Sequence, residues 1–306
     1  MNAIETQNLT RRYGRTDAVN GLTLAVPTGS IFALLGSNGA GKTTTIKVLM
    51  NLLTPSSGEA RVLGVDSRKL GTQERAQIGY VSENQRLPLW MTVRQLLDYC
   101  RPFYPTWDRA LEKTLLTRFA LPEDRKLKDL SRGMLMKASL LSSLAYRPKL
   151  LVLDEPFSGL DPLVRDEFIQ GVLEVSAAGD WTVFISSHDI AEIEQLADHV
   201  GIINAGRLQF AEPVDLLQAR FRRVEVQLPA ESPSPSAASL PKSWLAYERV
   251  GSLARFIDSR FTAVETETEC RRHFPEATVT AHPMTLREIF VAHAREQRAT
   301  LNGATA

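Results

Sequence analysis

Only two cysteines, Cys100 and Cys270, occur in the 306 residues. That number excludes a disulfide framework and suits a reducing cytoplasm. An excess of charge of either sign is also missing, with 36 Lys and Arg against 35 Asp and Glu. A net charge of +1 excludes a generally basic nucleic-acid binder and leaves room only for a local patch. No run of eighteen or more apolar residues exists, so no segment reads as a membrane-spanning helix. The stretch Met1–Thr10 has no apolar signal core and is polar from Glu5 onward, so no secretory leader is expected. Global disorder is excluded in turn, because 43% of the residues are hydrophobic. What remains is a soluble, cytoplasmic chain long enough for one large domain or two smaller ones.

What is present begins with alternation. Ser30–Leu35, Lys149–Leu153, Trp181–Ser186 and Val200–Ile203 are short apolar runs that predict buried strands of a mostly parallel sheet. Thr43–Leu53, Met134–Tyr146, Val164–Ser176 and Ile190–Ala197 predict helices between them, the pattern of an α/β domain. From about Arg86 to Leu130 the chain carries Trp90, Tyr99, Phe103, Tyr104 and Trp107, several prolines and no strand pattern. It reads as a helical insertion. Its aromatics serve mainly as the core of that insertion, and some can line a groove for a partner. Pro229–Lys242 is crowded with Pro, Ser and Ala and reads as a linker or exposed loop. Trp244–Arg298 has enough apolar residues for a small appended unit.

Three clusters carry chemistry. Gly36-Ser37-Asn38-Gly39-Ala40-Gly41-Lys42-Thr43 follows an apolar strand and opens a helix, the context in which G-x-x-x-x-G-K-[ST] cradles phosphates. Glycines let backbone N–H groups turn inward, Lys42 adds a point charge, Thr43 offers a hydroxyl to Mg²⁺, and the helix start adds its positive end. Leu150–Asp154 is an apolar strand followed directly by Glu155. Asp154 can then hold Mg²⁺ through water, and Glu155 can orient and deprotonate an attacking water. A strand capped by a solvated acidic turn is the plainer alternative for that pair taken alone. His188 follows the strand Thr182–Ser186, at the end of a parallel sheet that faces the ligand crevice. There it can bond a γ-phosphate or serve merely as a surface or capping residue.

The order of these motifs resembles that of the ATP-binding subunits of ABC transporters, over about residues 3–220. The resemblance implies an α/β P-loop NTPase core with a mostly parallel sheet. An N-terminal antiparallel β part, a helical subdomain at 86–130 and a small α+β appendage at 221–306 complete the expected fold. It implies that Tyr13 stacks on adenine, that Gly36–Thr44 (including Thr44) is the Walker A loop, and that Leu150–Glu155 is the Walker B strand. Ser131, Arg132 and Gly133 stand where the family carries its signature, Ser158-Gly159-Leu160-Asp161 matches the D-loop, and His188 is the switch histidine. Two such subunits pair head to tail, as a homodimer or a heterodimer, so that Ser131 and Gly133 reach the partner's γ-phosphate. ATP and Mg²⁺ are the implied ligands, and ATP hydrolysis by Glu155 with His188 the implied activity. The implied partner is a separately encoded polytopic permease, which would hold the chain on the inner face of the cell membrane. No nucleic-acid partner is expected.

Departures from the family pattern are specific. Glu83 stands at the glutamine position of the Q-loop, where it can bind Mg²⁺ or water or be merely a loop acid. Arg132 and Met134 replace a glycine and a glutamine of the signature. Together with Gly79–Gln85 and Phe103–Asp108, the variant signature resembles exporter-type ATPases of antibiotic-resistance and multidrug systems. An importer ATPase shares the same chemistry. A soluble ATPase acting on ribosomes or DNA fits less well, given one phosphate loop and no coiled coil. Met284–Phe290 resembles the closing helix of exporter ATPases and equally suits any terminal helix docking on a core. Dimer support is the expected role of the C-terminal region.

Overall fold

The computed structural model describes residues 1–177, 181–229 and 240–303. The chain forms two compact units, Met1–Ala211 and Glu212–Ala306, a division that falls ahead of the boundary expected at residue 220. Most of the expected linker at 229–242 lies outside the described residues.

In the first unit the elements run β1 (Asn2–Tyr13), β2 (Thr16–Pro27), β3 (Ile31–Leu35), α1 (Lys42–Leu49), β4 (Ser57–Val62), β5 (Val65–Asp66), α2 (Thr72–Arg75) and β6 (Ile78–Ser82). They continue with α3 (Val93–Cys100), α4 (Arg109–Arg118), α5 (Arg132–Leu144), β7 (Leu150–Asp154), α6 (Pro162–Ala177), β8 (Thr182–Ser187), β9 (His199–Asn204) and β10 (Arg207–Pro213). The strands make an antiparallel sheet ordered β2-β1-β4-β5 and a six-stranded sheet ordered β10-β9-β3-β8-β7-β6. In the latter, β3, β6, β7, β8 and β9 pair in parallel.

Burial on both faces explains the apolar runs. Every residue of β7 and of β8 is buried, so neither strand shows alternation. Phe32 and Phe184 stack at 5.8 Å within one core that also takes Ile4, Leu22 and Val62 from the antiparallel sheet and Ile46 and Leu49 from α1. The register aligns Leu35 with Ser187, and Asp154 with both Ser186 and Ser82. The carboxyl ends of β3, β6, β7 and β8 therefore share one edge of the sheet, where ligands of open α/β sheets bind.

The helices start where local chemistry allows. Thr92 and Gln95 form a capping box at α3, Asp108 accepts from the Ala110 and Leu111 amides at α4, and Ser131 accepts from the Met134 amide at α5. Each satisfies N–H groups that a helix start leaves without a carbonyl. Residues 86–130 hold α3, α4 and short 3₁₀ turns, with one isolated bridge between Thr92 and Lys126. Two expectations need correction. Trp90, Tyr99 and Phe103 are exposed, so of the five aromatics only Tyr104, stacked on Tyr146 at 3.7 Å, and Trp107, bonded to Glu112, are tied inward. The helix expected over 190–197 is instead a 3₁₀ turn at Ile190–Glu192 capped by Asp189. Glu192 accepts from the Ser187 hydroxyl at 2.8 Å, which ties the turn back to the end of β8.

The second unit contains α7 (Val214–Arg220), β11 (Arg222–Gln227), β12 (Trp244–Val250), β13 (Leu253–Asp258), α8 (Ala263–His273), β14 (Thr278–Pro283) and α9 (Leu286–Gly303). Its sheet runs β12-β13-β11-β14, antiparallel throughout. Trp244 stacks on Phe256 at 3.9 Å over a small core with Val224, Val226, Cys270 and Phe274. Burial pushes the Cys270 thiol up to about 12, which makes it a core residue rather than a reactive group.

Candidate functional site

The glycine loop leaves β3 at Gly36, whose amide donates to the Ser187 carbonyl at 3.3 Å. A Cβ at Gly36 would lie 2.4 Å from the Ile203 carbonyl oxygen, and one at Gly41 would lie 2.4 Å from that of Ala18. Both positions need glycine because main chain from β9 and β2 already fills the space. Gly41 adds a φ of +110, a conformation that L side chains rarely adopt, and Gly39 has a φ of +81 with open space around it. Gly41 is the N-cap of α1 and supplies no side-chain cap. The first amides of α1, those of Lys42, Thr43 and Thr44, therefore keep the orphan donors and positive dipole end that attract anions.

Charged groups converge beneath this loop. Lys42 is buried, and its Nζ donates to the Gly36 carbonyl at 2.6 Å and the Ser37 carbonyl at 3.1 Å. It also pairs with Glu155 Oε1 at 3.0 Å. His188 Nδ1 meets the other oxygen of Glu155 at 2.7 Å. Glu155 itself has a φ of +51, an unusual conformation for a non-glycine residue. Its amide is held by the carbonyl and hydroxyl of Ser186, at 3.2 and 3.1 Å. Asp154 is buried, and its Oδ1 accepts from Thr43 Oγ1 at 3.0 Å and from Ser186 Oγ at 2.8 Å. Burial raises the Asp154 pKa, with the two hydroxyls opposing the rise.

That chemistry fits a magnesium ion. A hydroxyl and a desolvated carboxylate side by side are hard oxygen donors. Among the described residues no group of three or more His, Cys, Asp or Glu could cage a metal. Mg²⁺ does not need such a cage, since it commonly takes one or two protein oxygens together with substrate phosphates and water.

The remaining expected residues are distributed around this edge. Tyr13 ends β1 opposite Thr16, just before Ala18, and is about half exposed with the Arg11 guanidinium 4.8 Å from its ring centre. Glu83 follows β6, and its carboxylate binds Arg132 and the Ser158 hydroxyl instead of turning to Thr43 or Asp154. Asp161 accepts from the Val164 amide at 3.0 Å and so starts α6. Ser131 and Arg132 are exposed at the start of α5, whereas Gly133 is buried, with a Cβ there 2.7 Å from Val164 Cγ1. The sequence reading passed over Ser186, although a hydroxyl at the end of a strand beside Asp154 was a legible signal. Ser158 was legible as the start of the D-loop stretch, but its bond to Glu83 was not, because the two are distant in sequence.

The family model for ABC transporters matches residues 19–158. The bacitracin transport ATP-binding protein of Bacillus licheniformis is 37% identical over 228 residues, covering 74% of each chain. Its counterpart from Enterococcus faecalis is 35% identical over 222 residues, covering 72% of each. The chain belongs to the ATP-binding subunits of ABC transporters. As a member of that family it is an ATP-hydrolysing cassette. A daunorubicin/doxorubicin resistance ATP-binding protein of Streptomyces peucetius is 38% identical over 211 residues, 67% of this chain and 64% of that one. Among solved structures, the ATP-binding subunit of an ABC transporter superposes with a TM-score of 0.65 at 28% identity, covering 71% of this chain and 92% of that one. The α/β cassette fold expected from the motifs is thus the family's fold. Among the described residues no helix is long and apolar enough to cross a membrane.

Proposed function

We propose that this chain powers an exporter: ATP and Mg²⁺ bind at the edge formed by β3, β7 and β8, and two copies or two related subunits close over the nucleotide. The observation that carries this reading is the convergence of Lys42, Thr43, Asp154, Glu155 and His188 under one glycine loop. Amides of residues 37–44 and the Lys42 ammonium surround the phosphates, and the Tyr13 ring takes the adenine. Thr43 and Asp154 hold Mg²⁺, which neutralises charge on the phosphates. Glu155 accepts the proton of the attacking water, and His188 orients that carboxylate through its 2.7 Å contact. Ser131 at the start of α5 faces the second subunit's nucleotide, where helix amides and a hydroxyl favour an anion.

Export is the direction supported by relatives named for bacitracin transport and for daunorubicin/doxorubicin resistance. The membrane path belongs to a separate polytopic partner, which places this chain at the inner face of the membrane. Exposed Trp90, Tyr99 and Phe103 supply apolar surface suited to such a partner. The test combines one substitution with one capture. Glu155→Gln should retain ATP binding, lose turnover by about 100-fold or more, and accumulate a dimer in Mg-ATP. The tagged variant should recover a polytopic subunit from native membranes. Undiminished turnover rejects Glu155 as the base, and recovery with ribosomes or DNA in place of a membrane subunit rejects the transporter reading.

A further inference from the structure

Glu83 and Arg132 are the two charged departures from the family pattern, and they lie 49 residues apart in sequence. In the structure they meet. Arg132 Nη2 donates to Glu83 Oε1 at 2.5 Å, and the same oxygen accepts from Ser158 Oγ at 3.0 Å. The guanidinium also fills the space beside Gly159, where a Cβ would come within 2.8 Å of Arg132 Nη1. The Glu83 amide is anchored to the Asp154 carbonyl at 3.0 Å, and the Ser158 amide donates to the Glu155 carbonyl at 3.3 Å. One ion pair therefore joins the exit of β6, the loop after β7 and the start of α5, all leading back to Asp154 and Glu155.

Each charge explains the other. Arg132 is the first residue of α5, where a cation opposes the positive end of the helix dipole. A carboxylate delivered from another segment removes that conflict and satisfies the guanidinium. Glu83, with a neutral residue at 132, would keep only the Ser158 hydroxyl as a side-chain partner.

We propose that Arg132 is a positioning residue acting through Glu83, and that the pair holds the α5 start and the Ser158–Gly159 loop in place relative to Asp154 and Glu155. The inference rests on the ATPase reading of that edge. The test is a double-mutant cycle on turnover by the full chain, with Glu83→Ala, Arg132→Ala and the two combined. The pair is partly exposed, at 28% and 51% of the two side chains, so each single variant should lose about threefold in kcat, the scale of an exposed ion pair. KM for ATP should stay within about twofold, and the double variant should also lose about threefold, since partners in one unit are not additive. Arg132→Lys should recover at least half of the lost turnover. Unchanged kcat in the single variants, a double loss near ninefold, or a Lys variant no better than Ala overturns the proposal. Undiminished turnover in Glu155→Gln would instead reject the reading beneath it, so the two failures are distinguishable.

Discussion

Replacing Gly41 by alanine tests the claim that neighbouring main chain fixes the glycine loop. Two costs act together. The φ of +110 is strained for any L residue, at about 1–3 kcal/mol. The new Cβ would also lie 2.4 Å from the Ala18 carbonyl oxygen, an overlap between two backbone-fixed atoms that costs about 1–3 kcal/mol to relieve. The sum is about 2 kcal/mol at its lower end, which for a domain of this size lowers Tm by roughly 4–8 °C. Gly39→Ala is the control on the same loop. Its φ of +81 is unfavourable, but nothing lies within 4 Å of a Cβ there, so only the backbone cost of about 1–2 kcal/mol applies. Melting both variants by circular dichroism or dye fluorescence should place Gly41→Ala clearly below Gly39→Ala. Equal melting temperatures would refute the argument, because the carbonyl contact would then carry no cost.

Tyr13→Ala should weaken ATP binding about fivefold, the lower end of base-stacking losses for a half-exposed ring, while Tyr13→Phe stays near wild type. Titration with a fluorescent ATP analogue reads this, and an unchanged Kd rejects the adenine contact. Asp154→Asn should melt higher than wild type at pH 7 without Mg-ATP. The sign follows from burial: an acid whose folded pKa is raised contributes stability below its unfolded value of about 3.9 and loses it as pH rises. The neutral amide escapes that loss, so the advantage should vanish as the pH is lowered toward about 4. An Asn variant that melts lower at pH 7 and gains on acidification would reverse the sign and sink the account.

The parallel strands were legible because both faces are buried, which writes continuous apolar runs such as Leu150–Leu153 and Thr182–Ile185 into the chain. The glycine loop was legible because its steric demands admit one residue type at fixed intervals. Exposure of Trp90, Tyr99 and Phe103 was not, since an aromatic bound for a partner and one bound for the core read alike in sequence. The 190–197 segment misled for another reason. Ile190, Ile193 and Leu196 have helical spacing and are all buried, yet the segment is a 3₁₀ turn at Ile190–Glu192 followed by separate turns, such as the Ala197 amide on the Ile193 carbonyl at 2.9 Å. The Glu83–Arg132 pair was visible only as two separate departures, because tertiary pairing leaves no periodic trace.

The grip of Lys42 on Glu155 has a consequence for timing. A single buried cation neutralises the carboxylate, and on the proposed reading the same cation is what an incoming polyphosphate attracts. On that reading arrival of the nucleotide and release of the carboxylate draw on one charge. His188, on the far oxygen of Glu155, is then left as its companion. On the same reading the wiring is an interlock: Glu155, the proposed base, is disengaged until there is a phosphate to attack.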